Sequence, residues 1–93
     1  VSEYGIEDII QELVPLIRET LIDGQRKRSP SYWKEDPGHE DALQRHLHRV
    51  DRGEIFDADS GAPAWSHVGT RALMLAWQQE RQISRKEWAD FAT

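Results

Sequence analysis

Apolar residues recur at three- and four-residue steps from the start of the chain: Ile6, Ile9, Ile10, Leu13, Leu16, Ile17 and Leu21. That period places them on one face of a helix. Pro15 interrupts the face, because it lacks an N–H and its ring crowds the preceding turn. The pattern predicts a helix over residues 5–14, then a second helix with Pro15 in its first turn that runs to Ile22. Asp23-Gly24 is the expected stop; the alternative is a helix that continues through Gln25 and Lys27. The stretch SPSYWKEDPG, residues 29–38, reads as a loop and sets Tyr32, Trp33 and Lys34 side by side.

His39 or Asp41 opens the next predicted helix, which carries Ala42, Leu43, Leu47 and Val50 on one face and ends at Gly53. Pro63 suits another helix start, followed by a stripe of Trp65, Val68, Ala72, Leu75 and Ala76 with Leu73 and Trp77 alongside. Ser84 and Glu87 form a capping box for a short last helix containing Trp88 and Phe91. No segment alternates as a strand would. The expectation is an all-α fold, a compact bundle of about four helices forming a single domain over residues 1–93.

Composition narrows the partners. A chain of 93 residues builds a thin core, so association into a homo-oligomer is an expected source of extra burial. The net charge of −5 argues against duplex nucleic acid, whose phosphates reward a basic surface. It leaves room for a small phosphorylated ligand held by a local group of Arg, Lys and His. With no cysteine there is no disulfide and no cysteine-ligated zinc. No apolar run approaches the roughly 20 residues of a membrane span, and VSEYGIEDII has no basic stretch leading into an apolar core. A cytoplasmic protein without a membrane partner is expected.

The stretch GEIFDADSG, residues 53–61, holds the most suggestive chemistry. An aspartate nucleophile of the Asp-x-Asp kind needs the end of a parallel strand, which this chain does not offer. A calcium loop beginning at Asp57 would need Gly at its sixth position and Glu at its twelfth; Gly61 is fifth and Val68 is twelfth. The ordinary reading is a turn between helices, with Asp59 or Ser60 bonding the backbone and Gly61 supplying a positive φ. Around it, His46 falls on the inward face with Ala42, Leu43 and Val50, where a core histidine bonded to a carbonyl is the usual case. His67 precedes Arg71 by one turn on a face shared with Ala64 and Met74. Two antiparallel helices would bring Arg45, His46, Glu54, Asp57, Ser60, His67 and Arg71 toward one pocket.

These residues carry a resemblance. The run Ala42-Leu43-x-Arg45-His46, then Gly53-Glu54, Asp57, Asp59-Ser60-Gly61 and His67, resembles the small phage and bacterial proteins of the dATP/dGTP diphosphohydrolase-like family. Members read Gly-Glu-x-x-Asp-x-Glu-Ser-Gly, so Asp59 stands where Glu is usual. Upstream, Pro15, Gly24, Lys27 and Trp33-Lys34 follow the family's order, with Tyr32 where Asn is common. The resemblance covers residues 13–80. It implies a compact helical fold, a purine deoxynucleotide ligand, conversion of a dNTP to a dNMP and diphosphate, and a cytoplasmic setting (the bacterial host's, if phage-encoded).

The signatures of better-understood nucleotide hydrolases are incomplete here. An adjacent His-Asp pair is approached only by His39-Glu40-Asp41, and of the paired Glu-x-x-Glu and Glu-x-x-Asp motifs only Glu54-x-x-Asp57 is present. As an enzyme, the chain would use Glu54 and Asp57 to hold Mg²⁺, its one expected cofactor, and His46 as base or phosphate ligand. Lys34, Arg45 and Arg71 would neutralise charge, with Trp33, Ser60 and His67 completing the nucleotide site. As a binding protein, it would sequester a nucleotide, or a cyclic nucleotide defence signal, without cleaving it. Trp33, Tyr32 and Trp65 would then stack on the base. As an interaction module, its four tryptophans and amphipathic N-terminal helix would face a protein partner.

Overall fold

The computed structural model describes residues 5–82. The elements are α1 (Ile6–Leu13), α2 (Pro15–Lys27), α3 (Tyr32–Glu35), α4 (His39–Asp51) and α5 (Ala64–Gln82). Among the described residues there is no strand, only an isolated bridge between Phe56 and Pro63. The fold is all-α, as the apolar period requires. The helix expected from Ser84 lies outside the described residues.

Pro15 separates α1 from α2 without ending the helical course. Val14 keeps helical dihedrals (φ −56°, ψ −42°), and its N–H donates to the Ile10 carbonyl at 2.9 Å. The second helix does not stop at Asp23-Gly24 but runs on to Lys27. Gly24 is there for space, not for a turn: a Cβ on it would overlap the Tyr32 ring. Lys27 supports the added turn by pairing with Asp23 at 3.1 Å. The segment expected to be a loop holds the single turn α3, closed by the Asp36 N–H on the Tyr32 carbonyl (2.9 Å).

Of the two expected starts, α4 uses His39. Asp36 Oδ1 accepts the Gly38 N–H at 2.8 Å just before the helix begins. Gly53 closes α4 with φ +95°, and the Glu54 N–H reaches back to the Arg49 carbonyl at 3.0 Å. The connector then folds on itself, with the Asp57 N–H on the Ala62 carbonyl (2.8 Å) and the Gly61 N–H on the Asp57 carbonyl (2.9 Å). Gly61 has φ +73°, the left-handed region that a turn here demands.

Contacts fix the directions of the helices. His46 of α4 lies against His67 of α5 and His39 against Arg71, so the two helices run antiparallel. Helix α2 meets α5 through a 2.6 Å hydrogen bond between the Thr20 and Thr70 hydroxyls. The buried face of α5 is Ala64, Ser66, His67, Thr70, Arg71 and Met74. That corrects the predicted stripe: Trp65, Ala72 and Ala76 are exposed. The period was right and its phase was wrong, because polar side chains occupy the face that turns inward. The buried apolar set among the described residues is Tyr32, Ala42, Ala62, Ala64 and Met74, while the most enclosed large side chain is His39, at 0% exposure.

Candidate functional site

The connector builds the first wall of the site. Asp57 is buried, and its Oδ1 accepts the Asp59 N–H (3.0 Å), the Ser60 N–H (2.9 Å) and the Ser60 hydroxyl (3.2 Å). Burial pushes its pKa up, but the Ser60 N–H, nearby His67 and the Asp59 N–H outweigh it and hold the carboxyl below its usual value. Ser60 Oγ also accepts the Ala62 N–H (3.2 Å) and lies 2.7 Å from His67 Nε2. With the hydroxyl proton given to Asp57, the Nε2 of His67 is the donor in that contact, and its Nδ1 carries a lone pair. This is not a nucleophile relay. Asp57 sits 3.7 Å from the same nitrogen that touches Ser60, whereas a serine triad has its carboxylate on the far nitrogen of the imidazole.

The second wall is a pair of stacked imidazoles. His46 lies over His67 with ring centroids 4.5 Å apart and planes 15° from parallel. Burial, then the neighbouring His67 and Arg49, lower the His46 pKa to about 4. Burial also lowers that of His67, against the pull of Asp57. Both rings are therefore neutral near pH 7.

The third wall is a held guanidinium. Arg71 is buried and gives Nη1 to His39 Nδ1 (2.6 Å) and Asp36 Oδ2 (3.1 Å). His39 Nε2 in turn faces the Trp33 carbonyl at 3.0 Å. An arginine can only donate, so His39 Nδ1 accepts and its ring proton sits on Nε2. The Tyr32 ring lies 5.5 Å from the same guanidinium. Burial raises the Asp36 pKa, and the Gly38 N–H and Arg71 more than reverse that. Three contacts from α3, α4 and the turn between them thus fix where Arg71 points.

These walls enclose a cavity of about 150 Å³ between α2, α4, α5 and the connector. Among the described residues, five cations line it, namely Lys27, Arg28, Arg45, Arg49 and Arg71, against three carboxylates, Asp23, Asp57 and Asp59. Among the described residues, no aliphatic side chain is in the lining. Lys27 bridges Asp23 and Asp59, each at 3.1 Å, and these two, Asp59 first, raise its pKa. Arg49 approaches Asp57 at 3.6 Å. Arg28 and Arg45 make no salt bridge among the described residues. A chain of net charge −5 has gathered an excess of positive charge at one place.

The family model described as dATP/dGTP diphosphohydrolase, N-terminal, matches residues 7–88. The chain belongs to this family. The match is wider than the 13–80 span of the sequence motifs and takes in all of α1 from Glu7 onward. No curated protein and no solved structure matches the chain.

In this dATP/dGTP diphosphohydrolase N-terminal domain, the residues singled out in the sequence divide into two groups. Arg45, His46, Asp57, His67 and Arg71 all line the cavity, and Ser60 sits behind it joining Asp57 to His67. Trp33, Lys34 and Glu54 are not in the lining. Trp33 meets Trp77 edge-on at 4.8 Å, and Lys34 stands over the Trp33 ring at 5.1 Å. Glu54 caps α4 with its N–H, and its Oε1 is buried with no hydrogen-bond partner.

The donor set does not fit a Mg²⁺ held by Glu54 and Asp57. Asp57 Oδ1 already serves three donors, its Oδ2 faces Arg49, and Glu54 is outside the cavity. Among the described residues no three His, Asp or Glu side chains form a group that could ligate a metal. Sequence reasoning did not select His39, Asp36 or Arg49, nor the Thr20–Thr70 bridge. His39 and Asp36 flank a Pro-Gly turn and look like loop and capping residues; their partner Arg71 lies more than thirty positions away.

Proposed function

We propose that this cavity receives the phosphate groups of a purine deoxynucleoside triphosphate. The supporting observation is the concentration of five cations around an otherwise polar cavity in an acidic chain. Size sharpens the reading. A cavity of about 150 Å³ is of the order that admits a ligand of benzene size. A phosphate group matches that and a whole nucleoside does not, so the sugar and base lie outside. Arg71 is pre-set by His39 and Asp36, which lowers the ordering cost of binding an anion. Arg28 and Arg45 supply charge that no described carboxylate neutralises. Neutral His46 would gain a proton beside a bound polyphosphate and so become a donor to it.

The purine base and the release of diphosphate come from the family's description, not from the cavity. The cavity favours binding first: an imidazole with a pKa of about 4 is a weak general base at neutral pH until an anion raises it. Capture without cleavage is the second reading, favoured by the lack of a metal-ligating carboxylate group among the described residues. Thermal-shift titration of the full chain with dATP, dGTP and inorganic triphosphate, with and without Mg²⁺, tests the first claim. Chromatography of each mixture then separates a released dNMP from intact ligand. A flat response to all three anions would remove the proposal.

A further inference from the structure

Helix α1 buries none of its residues. Ile6, Ile9, Ile10 and Leu13 form one ridge at helical spacing, with Ile6 72% and Leu13 55% exposed. An amphipathic helix draws most of its stability from burying such a face, and no described residue buries this one. Elsewhere, on the far side of the Thr20–Thr70 contact from the polar cavity, α2 and α5 enclose an apolar groove of about 400 Å³. Ile17, Leu21, Leu73, Met74 and Trp77 are its main walls, and Leu73 is 57% exposed.

We propose that the two surfaces meet between two copies of this chain, each α1 lying in the other copy's groove. Three observations support the pairing. The groove runs along α2 from Ile17 to Gln25, about 12 Å at helical rise, and α1 with eight residues is also about 12 Å long. The charges are complementary. Helix α1 carries Glu7, Asp8 and Glu12 and no cation, while among the described residues Arg18 is the only charged one lining the groove. Lys34 and Arg81 stand over the Trp33 and Trp77 rings at its end, with Glu80 paired to Arg81. Helix α1 cannot reach the groove of its own chain, because it continues helically from α2, which is one of the groove's walls.

Reciprocal exchange of this kind closes on a two-fold axis and leaves no free α1 to propagate. The groove shares Tyr32 and Thr70 with the phosphate cavity across the α2–α5 contact but none of that cavity's cations.

Light scattering on the eluting full chain reads the assembly. The expected mass is twice 10.8 kDa. Ile10→Glu and Leu73→Glu, both at exposed positions, should each return it to a single chain with an unchanged circular dichroism spectrum. Because the chain has no cysteine, Ile10→Cys and Leu73→Cys can be made separately, mixed and bridged with a short bis-maleimide. The mixed dimer should then exceed either self-linked product. A wild-type chain that stays monomeric up to high micromolar concentration overturns the proposal, as does Ile10→Cys linking to itself as efficiently as to Leu73→Cys.

Discussion

Asp57 shows how one side chain can be both scaffold and site. Its carboxylate orders the connector through three donors while facing His67 and Arg49 across the cavity wall. Asp57→Ala should therefore strand several donors and cost about 1–3 kcal/mol, measured by urea denaturation. The stacked histidines make a second prediction. Both are held below the usual 6.5 in the folded chain, His46 at about 4. Between those values the unfolded chain binds more protons, so stability is full above pH 6.5 and declines as the pH falls toward 4. Denaturation midpoints at pH 7 and pH 5 test this, and His46→Gln should flatten part of the slope. A midpoint that rises on acidification would refute it. At this scale the sequence was half legible. Asp57, Ser60 and His67 stand close together in a recognisable motif. His39 looks like any helix-opening residue, because its role is set by an arginine brought to it by folding.

Helices were legible where they depend on local chemistry and illegible where they depend on a neighbour. The break between helices at Pro15, the stop at Gly53 and the turn at Gly61 follow from backbone rules that any sequence obeys. Gly24 reads as a stop by the same rules, yet sits inside α2 because the Tyr32 ring needs its missing side chain. Glycines 24 and 69 should thus respond oppositely to alanine. At Gly69 an added Cβ meets nothing within 4 Å, and the gain in helix propensity should stabilise the fold by about 0.5–1 kcal/mol. At Gly24 overlap with Tyr32 should outweigh that gain and destabilise by about 1–2 kcal/mol net. Thermal melts of the two variants give the signs. The phase of α5 was lost for a related reason. Its inward face carries Ser66, His67, Thr70 and Arg71, so a search for apolar periodicity selects the wrong side.

For the molecule as a whole, the informative contrast is between net charge and its distribution. An acidic chain with a small apolar core keeps one buried cation, Arg71, four exposed ones and a pair of neutral histidines around one cavity. Like charges gathered so closely repel one another, and a bound anion would relieve that repulsion. Salt should accordingly weaken the anion's binding, since the rim cations Arg28, Arg45 and Arg49 are exposed while Arg71 is shielded. The family was legible because its motif marks the cavity's walls, even though three of the marked residues, Trp33, Lys34 and Glu54, lie outside its lining. The central claim is that the cavity is a phosphate site, and calorimetric titration of inorganic triphosphate and dATP into wild type and Arg45→Ala tests it most directly. The account predicts that wild type binds both and that the exposed substitution weakens each on the order of tenfold or more, the loss of one charged hydrogen bond, with folding unchanged. Equal affinity in the two proteins, or no heat with either anion, would contradict it.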